Sequence, residues 1–220
     1  DSRFYTCAVE SFAELLWRRP VSSDDADLLE DLRVHLLNTD VRIQPLLSKL
    51  TETETYRDET VRMVTHDQLS SALLAMTGFE WTSEGFDELD SDRTGYRLLL
   101  GGVDGIAIRK PQQTPSFTWA LVVKRAAEAA AHYVVSRELE QGEERIFFDH
   151  VESVEDGPGS PAFRDELRSL HVKLYSQPAT MEWIEDIEEL WSSTYNESNP
   201  MEAWQTTVSV LLRDPAFLSY

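Results

Sequence analysis

The sequence contains one cysteine, Cys7, so the chain can form no internal disulfide and has no Cys-x-x-Cys pair. This excludes a redox pair of that type and covalently attached c-type haem within these residues. The apolar neighbours of Cys7 predict a buried thiol rather than a reactive one. Long hydrophobic runs are also missing: no stretch of about 18 apolar residues occurs, and the mean hydropathy is -0.37. The sequence therefore predicts no membrane-spanning segment.

Positive charge is scarce. Lys and Arg number 20 against 40 Asp and Glu, which gives a net charge of -20 at pH 7 and a pI of about 4.5. Such a chain lacks the basic surface that displaces counterions from a phosphate backbone, so nucleic acid is not the expected partner. The charge is typical of a salt-adapted surface and also attracts basic proteins. Both interpretations stay open, and a protein partner, basic in the second case, is expected.

The spacing of apolar residues is mostly helical, beginning with a stripe over residues 4–18. Ser22 with Asp25, and Thr65 with Gln68, have the spacing of a capping box at a helix start, and Gly78 lies where a left-handed cap would end the second of these helices. Proline is favoured at the first helical position, because that N–H needs no partner. An N-cap residue precedes proline at Thr114-Pro115, Ser160-Pro161, Asn199-Pro200 and Asp214-Pro215. These signals predict an all-α protein with a long helix over about 115–140.

Residues 12–57 and 170–218 share a layout, in which a helix ends near a proline, an acidic capped helix follows, and a third helix closes on an aromatic residue. This layout predicts two similar three-helix units around the long central helix. The expected segments are 1–60 (N-terminal unit), 61–145 (central helices) and 160–220 (C-terminal unit).

Residues 79–114 lose the helical period and accumulate glycine, which predicts a Gly-rich irregular insert within the central segment. Irregular segments of this length are more often functional than decorative, so we look for a binding site there. The acidic stretch 142–159, which ends in Gly157-Pro158-Gly159, predicts an exposed linker.

The insert contains the opening of a calcium loop. Asp90-Ser91-Asp92-Arg93-Thr94-Gly95 has oxygen ligands at positions one, three and five and glycine at position six, but position twelve is Gly101 instead of glutamate. Asp87, Glu88 or Asp104 is available as the missing carboxylate. If calcium binds, the expected ligands are Asp90, Asp92 and Asp104; the alternative is a solvated turn rich in aspartate.

Trp81 lies between Phe79 and Phe86 in the same insert, outside the helical spacing that four of the other tryptophans have. The three aromatic residues predict a ligand groove, with ordinary core packing as the alternative.

Catalytic motifs that can be read from sequence are missing: the chain has no Gly-x-Ser-x-Gly, His-Glu-x-x-His, phosphate loop or Ser-x-x-Lys. A carboxylate-bridged metal pair would need Glu-x-x-His, which is also absent. Glu128 and His132 form an i, i+4 pair on the long helix, and we interpret them as hydrogen-bonding residues rather than ligands. No cofactor is expected beyond the calcium just described, and an enzyme with a dispersed site stays open.

The order of a helix ending at Arg19-Pro20, an Asp-rich helix and a helix ending in Asp214-Pro215-Ala216-Phe217 resembles helical domains of secreted planctomycete and myxobacterial proteins. Many of those domains accompany c-type haem modules. Thr77-Gly78-Phe79 and Gly101-Gly102-Val103-Asp104-Gly105-Ile106 are similar to stretches of the same chains. The resemblance implies an exported or periplasmic bacterial protein and brings no catalytic residues. Because Cys-x-x-Cys-His is absent, any electron transfer would belong to another module.

The chain begins at Asp1 without methionine, so we expect a processed or excised part of a longer protein. The expected function is a non-catalytic interaction or scaffold domain. The alternative is a calcium or small-ligand binding domain that uses the 79–114 insert.

Overall fold

The computed structural model describes residues 2–17, 19–57, 63–91, 95–109, 111–112 and 114–219. The described residues form ten α-helices and one two-stranded sheet, which confirms the all-α prediction. The chain divides into two compact units, Asp1–Arg62 and Met63–Tyr220. The predicted three-segment division and the predicted similarity of two three-helix units remain predictions.

The first unit is built from three helices that pack on one another and a short fourth. They are α1 (Ser2–Trp17), α2 (Ala26–Asn38), α3 (Ile43–Thr51) and α4 (Glu54–Arg57). The core of this unit takes residues spaced by four from each long helix: Val9, Ala13, Trp17, Leu32, Leu36, Leu46 and Leu50.

A capped, ion-paired corner joins α1 to α2. The predicted capping box is confirmed: Asp25 closes it on Ser22, whose backbone N–H donates to Asp25 Oδ2 at 2.8 Å. Arg19 also donates to both oxygens of Asp25 at 2.7 Å, and the same guanidinium lies 5.3 Å from the Trp17 ring centroid. The hydrogen bond from Arg19 lowers the pKa of Asp25 far below its ordinary value of 3.8. The corner therefore depends on ionised Asp25.

Cys7 is exposed, so the prediction of a buried thiol is wrong. The buried stripe of α1 follows Val9, Ala13 and Trp17. Because each helical residue turns the side chain by about 100°, Cys7 points about 200° away from Val9, toward the opposite face.

The second unit contains six helices and a β-hairpin. In chain order they are α5 (His66–Thr77), β1 (Thr82–Ser83), β2 (Phe86–Asp87), α6 (Tyr96–Leu99), α7 (Phe117–Val135), α8 (Pro161–Tyr175), α9 (Met181–Glu197) and α10 (Pro200–Leu211). The two strands pair antiparallel, with Thr82 opposite Asp87. α7 packs against α5, α6 and α10, and α10 also packs against α9. The irregular insert therefore holds a short hairpin and a four-residue helix.

The buried residues of α7 follow two lines with a spacing of four, which are Trp119, Val123, Ala127, Ala131 and Val135, and Val122, Ala126, Ala130 and Val134. Small alanine side chains occupy the middle of both lines, and α10 packs on α7. Trp204 of α10 contacts Phe148, Phe163 and Trp191 with ring centroids 5.0–6.3 Å apart. The core of this unit thus joins an alanine-rich helix to an aromatic cluster.

Most of the predicted helix ends are confirmed. The Thr65–Gln68 capping box begins α5, and Gly78 ends it in the left-handed conformation at φ 69°. Ser160-Pro161 begins α8, and Asn199-Pro200 begins α10.

Two predicted starts are wrong. α7 begins at Phe117 instead of Pro115, because the hydroxyl of Ser116 accepts the N–H of Trp119 at 3.1 Å and caps the helix. Asp214-Pro215 begins only a turn, in which Asp214 O accepts the N–H groups of Phe217 and Leu218.

The prediction of an exposed linker over 142–159 is also wrong, because Phe147, Phe148 and Val151 are buried. Two fully buried carboxylates make this possible. Glu138 accepts the N–H groups of residues 146–148 at 2.9–3.1 Å, and Glu166 accepts those of residues 149–151 at 2.6–3.1 Å. Six consecutive backbone donors are therefore satisfied without regular secondary structure, as burial requires.

Glu138 reaches this loop from a π-helical segment, Ser136–Glu140, that continues α7. The Gln141 N–H donates to Ser136 O at 3.0 Å, which is the i to i+5 bond of a π turn. Across the described residues, no helix has both the length and the apolar character needed to cross a bilayer.

Candidate functional site: a groove between α7 and α10

The predicted calcium ligands have other partners where they are described. Asp90 is exposed and lies 3.3 Å from Nδ1 of His66. Asp104 Oδ1 accepts the N–H groups of Ile106, Ala107 and Ile108 at 2.8–2.9 Å, and these bonds lower the pKa of Asp104. Asp92 lies outside the described residues. Asp104 thus organises its own turn.

Within the described ranges, no group of three His, Cys, Asp or Glu side chains has the arrangement to hold a metal ion. Because Asp92 is not part of that set, the calcium site remains a prediction.

The three aromatic residues predicted to line a groove contact different neighbours. The ring of Phe79 lies 5.7 Å from that of Tyr133, and the ring of Trp81 lies 5.1 Å from that of Tyr96. Both are half-buried against the core, whereas Phe86 on β2 is 52% exposed. Core packing accounts for Phe79 and Trp81, and a ligand groove at these residues remains a prediction.

The structure instead shows an open cleft where the C-terminal end of α10 crosses the start of α7, which we call the α7–α10 groove. Its first part has a volume of about 520 Å³ and is mainly apolar. It is lined by Trp119, Ala120, Leu121, Val123, Lys124, Val210, Arg213, Asp214, Pro215 and Leu218. Leu121 is 45% exposed within it. A volume of this size is typical of ligand clefts in proteins.

The second part of the α7–α10 groove is polar and has a volume of about 250 Å³. It is lined by Glu128, His132, Glu202, Gln205, Thr206, Ser209 and Arg213. Arg213 lines both parts.

Two polar groups in the groove have hydrogen-bonding capacity to spare. Arg213 Nε donates to Ser209 O at 3.1 Å, and no carboxylate of the described residues forms a salt bridge with this arginine. Ser209 is 5% exposed, and its Oγ has no hydrogen-bond partner in the described protein. A buried hydroxyl without a partner costs about 1–3 kcal/mol of stability. Arg213 therefore has unused N–H donors at the groove, whereas Ser209 Oγ is enclosed within the protein.

The two glutamates of the polar part are held in place by neighbours. Glu128 lies 3.6 Å from Lys124 Nζ, and Glu202 accepts the hydroxyl of Ser198. The backbone N–H of Glu202 donates to the N-cap Asn199 at 3.0 Å, which fixes the start of α10. The polar part thus offers two carboxylates and one guanidinium to anything that enters it.

Sequence reasoning identified Glu128 and His132 as a pair on the long helix but gave no sign of their partners on α10. Ser209 and Arg213 were missed. They are about 80 residues from α7 in the chain, and helical spacing does not say which helices pack together. The sequence contains one signal for the groove, which is the apolar residue Leu121 one turn before Lys124 on a helix that is otherwise rich in alanine.

Comparisons of the chain with protein-family models, with curated proteins and with solved structures gave no match.

Proposed function

We propose that the chain is a non-catalytic interaction domain that binds a basic protein segment in the α7–α10 groove. The observation that carries this proposal is the open, mainly apolar cleft of about 520 Å³, which shares Arg213 with a polar part that contains two glutamates.

The apolar part supports binding through side-chain burial. Leu121, Val210, Pro215 and Leu218 line a volume that accepts one or two side chains of leucine size. Each leucine-sized side chain that becomes fully buried contributes about 1.5–3 kcal/mol. Two such side chains contribute about 3–6 kcal/mol before the association cost of about 4–15 kcal/mol is subtracted, so the apolar part alone gives weak binding and the charged residues must contribute as well.

The charge of the protein supports a basic partner. The net charge of -20 raises the local concentration of basic segments and speeds their association. In the polar part, Glu128 and Glu202 lie where lysine or arginine side chains of such a segment would be placed if its apolar side chains occupied the first part. Ions screen this attraction, so binding should weaken as salt rises.

We also propose that the domain belongs to an exported bacterial protein. This part of the proposal is supported by the resemblance to domains of secreted planctomycete and myxobacterial proteins.

The test is fluorescence anisotropy at about 0.15 M salt with a labelled, lysine-rich octapeptide whose third-last and last residues are leucine. We expect saturable binding that Leu121→Glu weakens about tenfold or more, because a charged side chain in the apolar part prevents burial of leucine. The matched control is Leu74→Glu, on α5 outside the groove, where the leucine is 48% exposed.

The two variants separate the groove from general attraction. Both add one negative charge, so nonspecific binding of the basic peptide would increase equally in each. Equal affinities of Leu121→Glu and Leu74→Glu for the peptide would contradict the proposal, as would an absence of binding to the wild-type chain.

A further inference from the structure

We infer that the basic segment bound in the α7–α10 groove is the turn of residues 104–109 from a second copy of this chain. The inference rests on the proposed function and names the partner. Neither part of the groove is lined by residues of this turn, which we call the 104–109 turn. The contact is therefore head-to-tail, and it joins copies in a closed ring or in an open chain.

The 104–109 turn presents apolar side chains to solvent. Ile106 is 81% exposed and Ile108 is 41% exposed. A single exposed apolar residue is ordinary, but here two of them directly precede Arg109, which is also exposed. The next residue in the sequence is Lys110. The turn thus combines apolar and basic side chains, as the proposed partner of the groove does.

Backbone hydrogen bonds hold the 104–109 turn in this exposed arrangement. The N–H groups of residues 106–108 donate to Asp104 Oδ1 at 2.8–2.9 Å, and those of Asp104 and Gly105 donate to Ile108 O at 3.1 and 3.3 Å. Arg109 Nε donates to the backbone oxygen of residue 106 at 3.2 Å. A segment that is already ordered loses less conformational entropy when it binds. The turn is therefore preorganised for a cleft.

The two parts of the groove follow each other along α7 in the order that the turn requires. Lys124 lines the apolar part, and Glu128 of the polar part lies one helical turn, about 6 Å, further along. Isoleucine has the size of leucine, so Ile106 and Ile108 match the volume of the apolar part. Arg109 follows directly, and its long side chain reaches toward Glu128.

Charge selects this segment of the chain for a contact between copies. Each copy carries a net charge of -20, so two acidic surfaces repel each other and a contact needs a basic segment. The sequence has adjacent basic residues at Arg18-Arg19, Arg109-Lys110 and Lys124-Arg125.

Two of these pairs have other roles. Arg19 is bound by Asp25 of its own chain, and Lys124 belongs to the wall of the groove. The pair Arg109-Lys110 follows exposed apolar residues, so it fits a groove whose carboxylates outnumber its lysine and arginine side chains. These charged residues are Glu128, Glu202 and Asp214, against Lys124 and Arg213.

The first test is sedimentation equilibrium of the whole chain. One short turn buries less than the about 1,200 Å² of a stable complex, so the association is weak. We expect the average mass to rise above 25.2 kDa as the chain concentration increases from about 10 μM to about 1 mM.

Variants on each side of the contact should weaken this association about tenfold or more, because both remove the burial of an isoleucine. They are Ile106→Ser in the turn and Leu121→Glu in the groove. The matched controls, Val172→Ser on α8 and Leu74→Glu on α5, change residues that are 53% and 48% exposed and should associate as the wild type does. Circular dichroism shows whether each variant is folded.

Mixing the two variants tests the head-to-tail geometry. Leu121→Glu keeps an intact turn, and Ile106→Ser keeps an intact groove, so a mixture should associate although each variant alone is monomeric. The exposed Cys7, the one cysteine of the chain, accepts a maleimide fluorophore. Labelled Leu121→Glu should sediment faster with excess unlabelled Ile106→Ser, and should not do so with excess unlabelled Leu121→Glu.

Each contrary outcome has its own meaning. A wild-type chain that stays monomeric to about 1 mM, yet binds the octapeptide described above with sensitivity to Leu121→Glu, overturns this inference and leaves the proposed function standing. If that monomer binds the octapeptide less tightly than Ile106→Ser does, the turn occupies the groove of its own chain. Self-association that neither variant weakens, or that mixing does not restore, also overturns the inference. Failure of the monomeric wild type to bind the octapeptide overturns the proposed function and this inference with it.

Discussion

The loop of residues 146–151 should depend on Glu138 for its folded conformation. Glu138 is fully buried, and both of its carboxylate oxygens accept backbone N–H groups of Ile146, Phe147 and Phe148. The substitution Glu138→Gln keeps the size of the side chain but turns one acceptor oxygen into an amino group, which faces N–H donors.

The magnitude follows from the bonds that are lost. At least one backbone N–H loses its acceptor, and the bonds that remain are no longer charge-assisted. A hydrogen bond to a charged group contributes about 1.5–3 kcal/mol, so the loss of one such bond and the weakening of the others predict a fall of about 2 kcal/mol or more in the free energy of unfolding of the second unit. Phe147 and Phe148, which the loop buries, would also pack less well.

Urea unfolding followed by tryptophan fluorescence measures this change, because Trp204 lies 5.4 Å from the Phe148 ring. Hydrogen exchange should show loss of protection at residues 146–148. Glu144→Gln, an exposed position in the same segment, is the control and should leave stability unchanged. A loss below about 0.5 kcal/mol in Glu138→Gln, the range of an ordinary surface substitution, would refute the argument that the carboxylate holds the loop.

Glu166 adds a pH dependence with a definite sign. Burial raises the pKa of Glu166 above its ordinary value of 4.5, although the N–H groups of Asp149, His150 and Val151 act in the opposite direction. The folded state therefore binds a proton at higher pH than the unfolded state, and this group favours folding more as the pH falls toward 4.5. The free energy of unfolding of the wild type minus that of Glu166→Gln should therefore increase as the pH falls toward 4.5, and a decrease would contradict the raised pKa.

Two further substitutions test packing and charge elsewhere. Asp25→Asn should destabilise the first unit by about 1.5–3 kcal/mol, because it removes the charged acceptor of Arg19. Because the pKa of Asp25 is lowered in the folded state, its contribution to the stability of the first unit is complete above pH 3.8 and is lost as the pH falls further. Hydrogen exchange of α1 and α2 measures this loss. The control is Glu30→Gln, which changes an exposed ion pair and should leave the stability unchanged. Gly157→Ala places a Cβ 2.5 Å from the Trp191 ring and should cost about 1–3 kcal/mol in urea unfolding. The cost of Gly157→Ala should shrink in a Trp191→Phe background, which lacks the outer ring atoms, and simple additivity would argue against the clash.

The helix ends that sequence predicts correctly are those whose signals are local. Thr65 with Gln68, Gly78, and the prolines that follow Ser160 and Asn199 each act on backbone groups within four residues, so the sequence contains the whole interaction. The start of α7 was misplaced because Ser116, a second N-cap residue two positions further on, competes with Thr114 for the same role.

The buried loop and the groove depend on contacts that the local sequence does not contain. Polar composition predicted an exposed linker over 142–159, but Glu166, more than 14 residues from the donors it binds, supplies the acceptor that lets the loop be buried. The groove likewise joins Lys124 and Glu128 to Ser209 and Arg213 through the packing of α7 on α10. The local sequence does not show which helices pack together, and both the buried loop and the groove depend on that packing.

The spacing of four along α7 also determines the path of the groove. Four residues of an α-helix advance about 6 Å and overshoot a full turn by about 40°. Ala120, Lys124, Glu128 and His132 line the groove at this spacing, so its wall on α7 rotates by about 120° over about 18 Å. A straight helix laid along Ala120 would lose contact before His132. A bound segment that contacts both Ala120 and His132 must therefore curve around α7 by about the same angle.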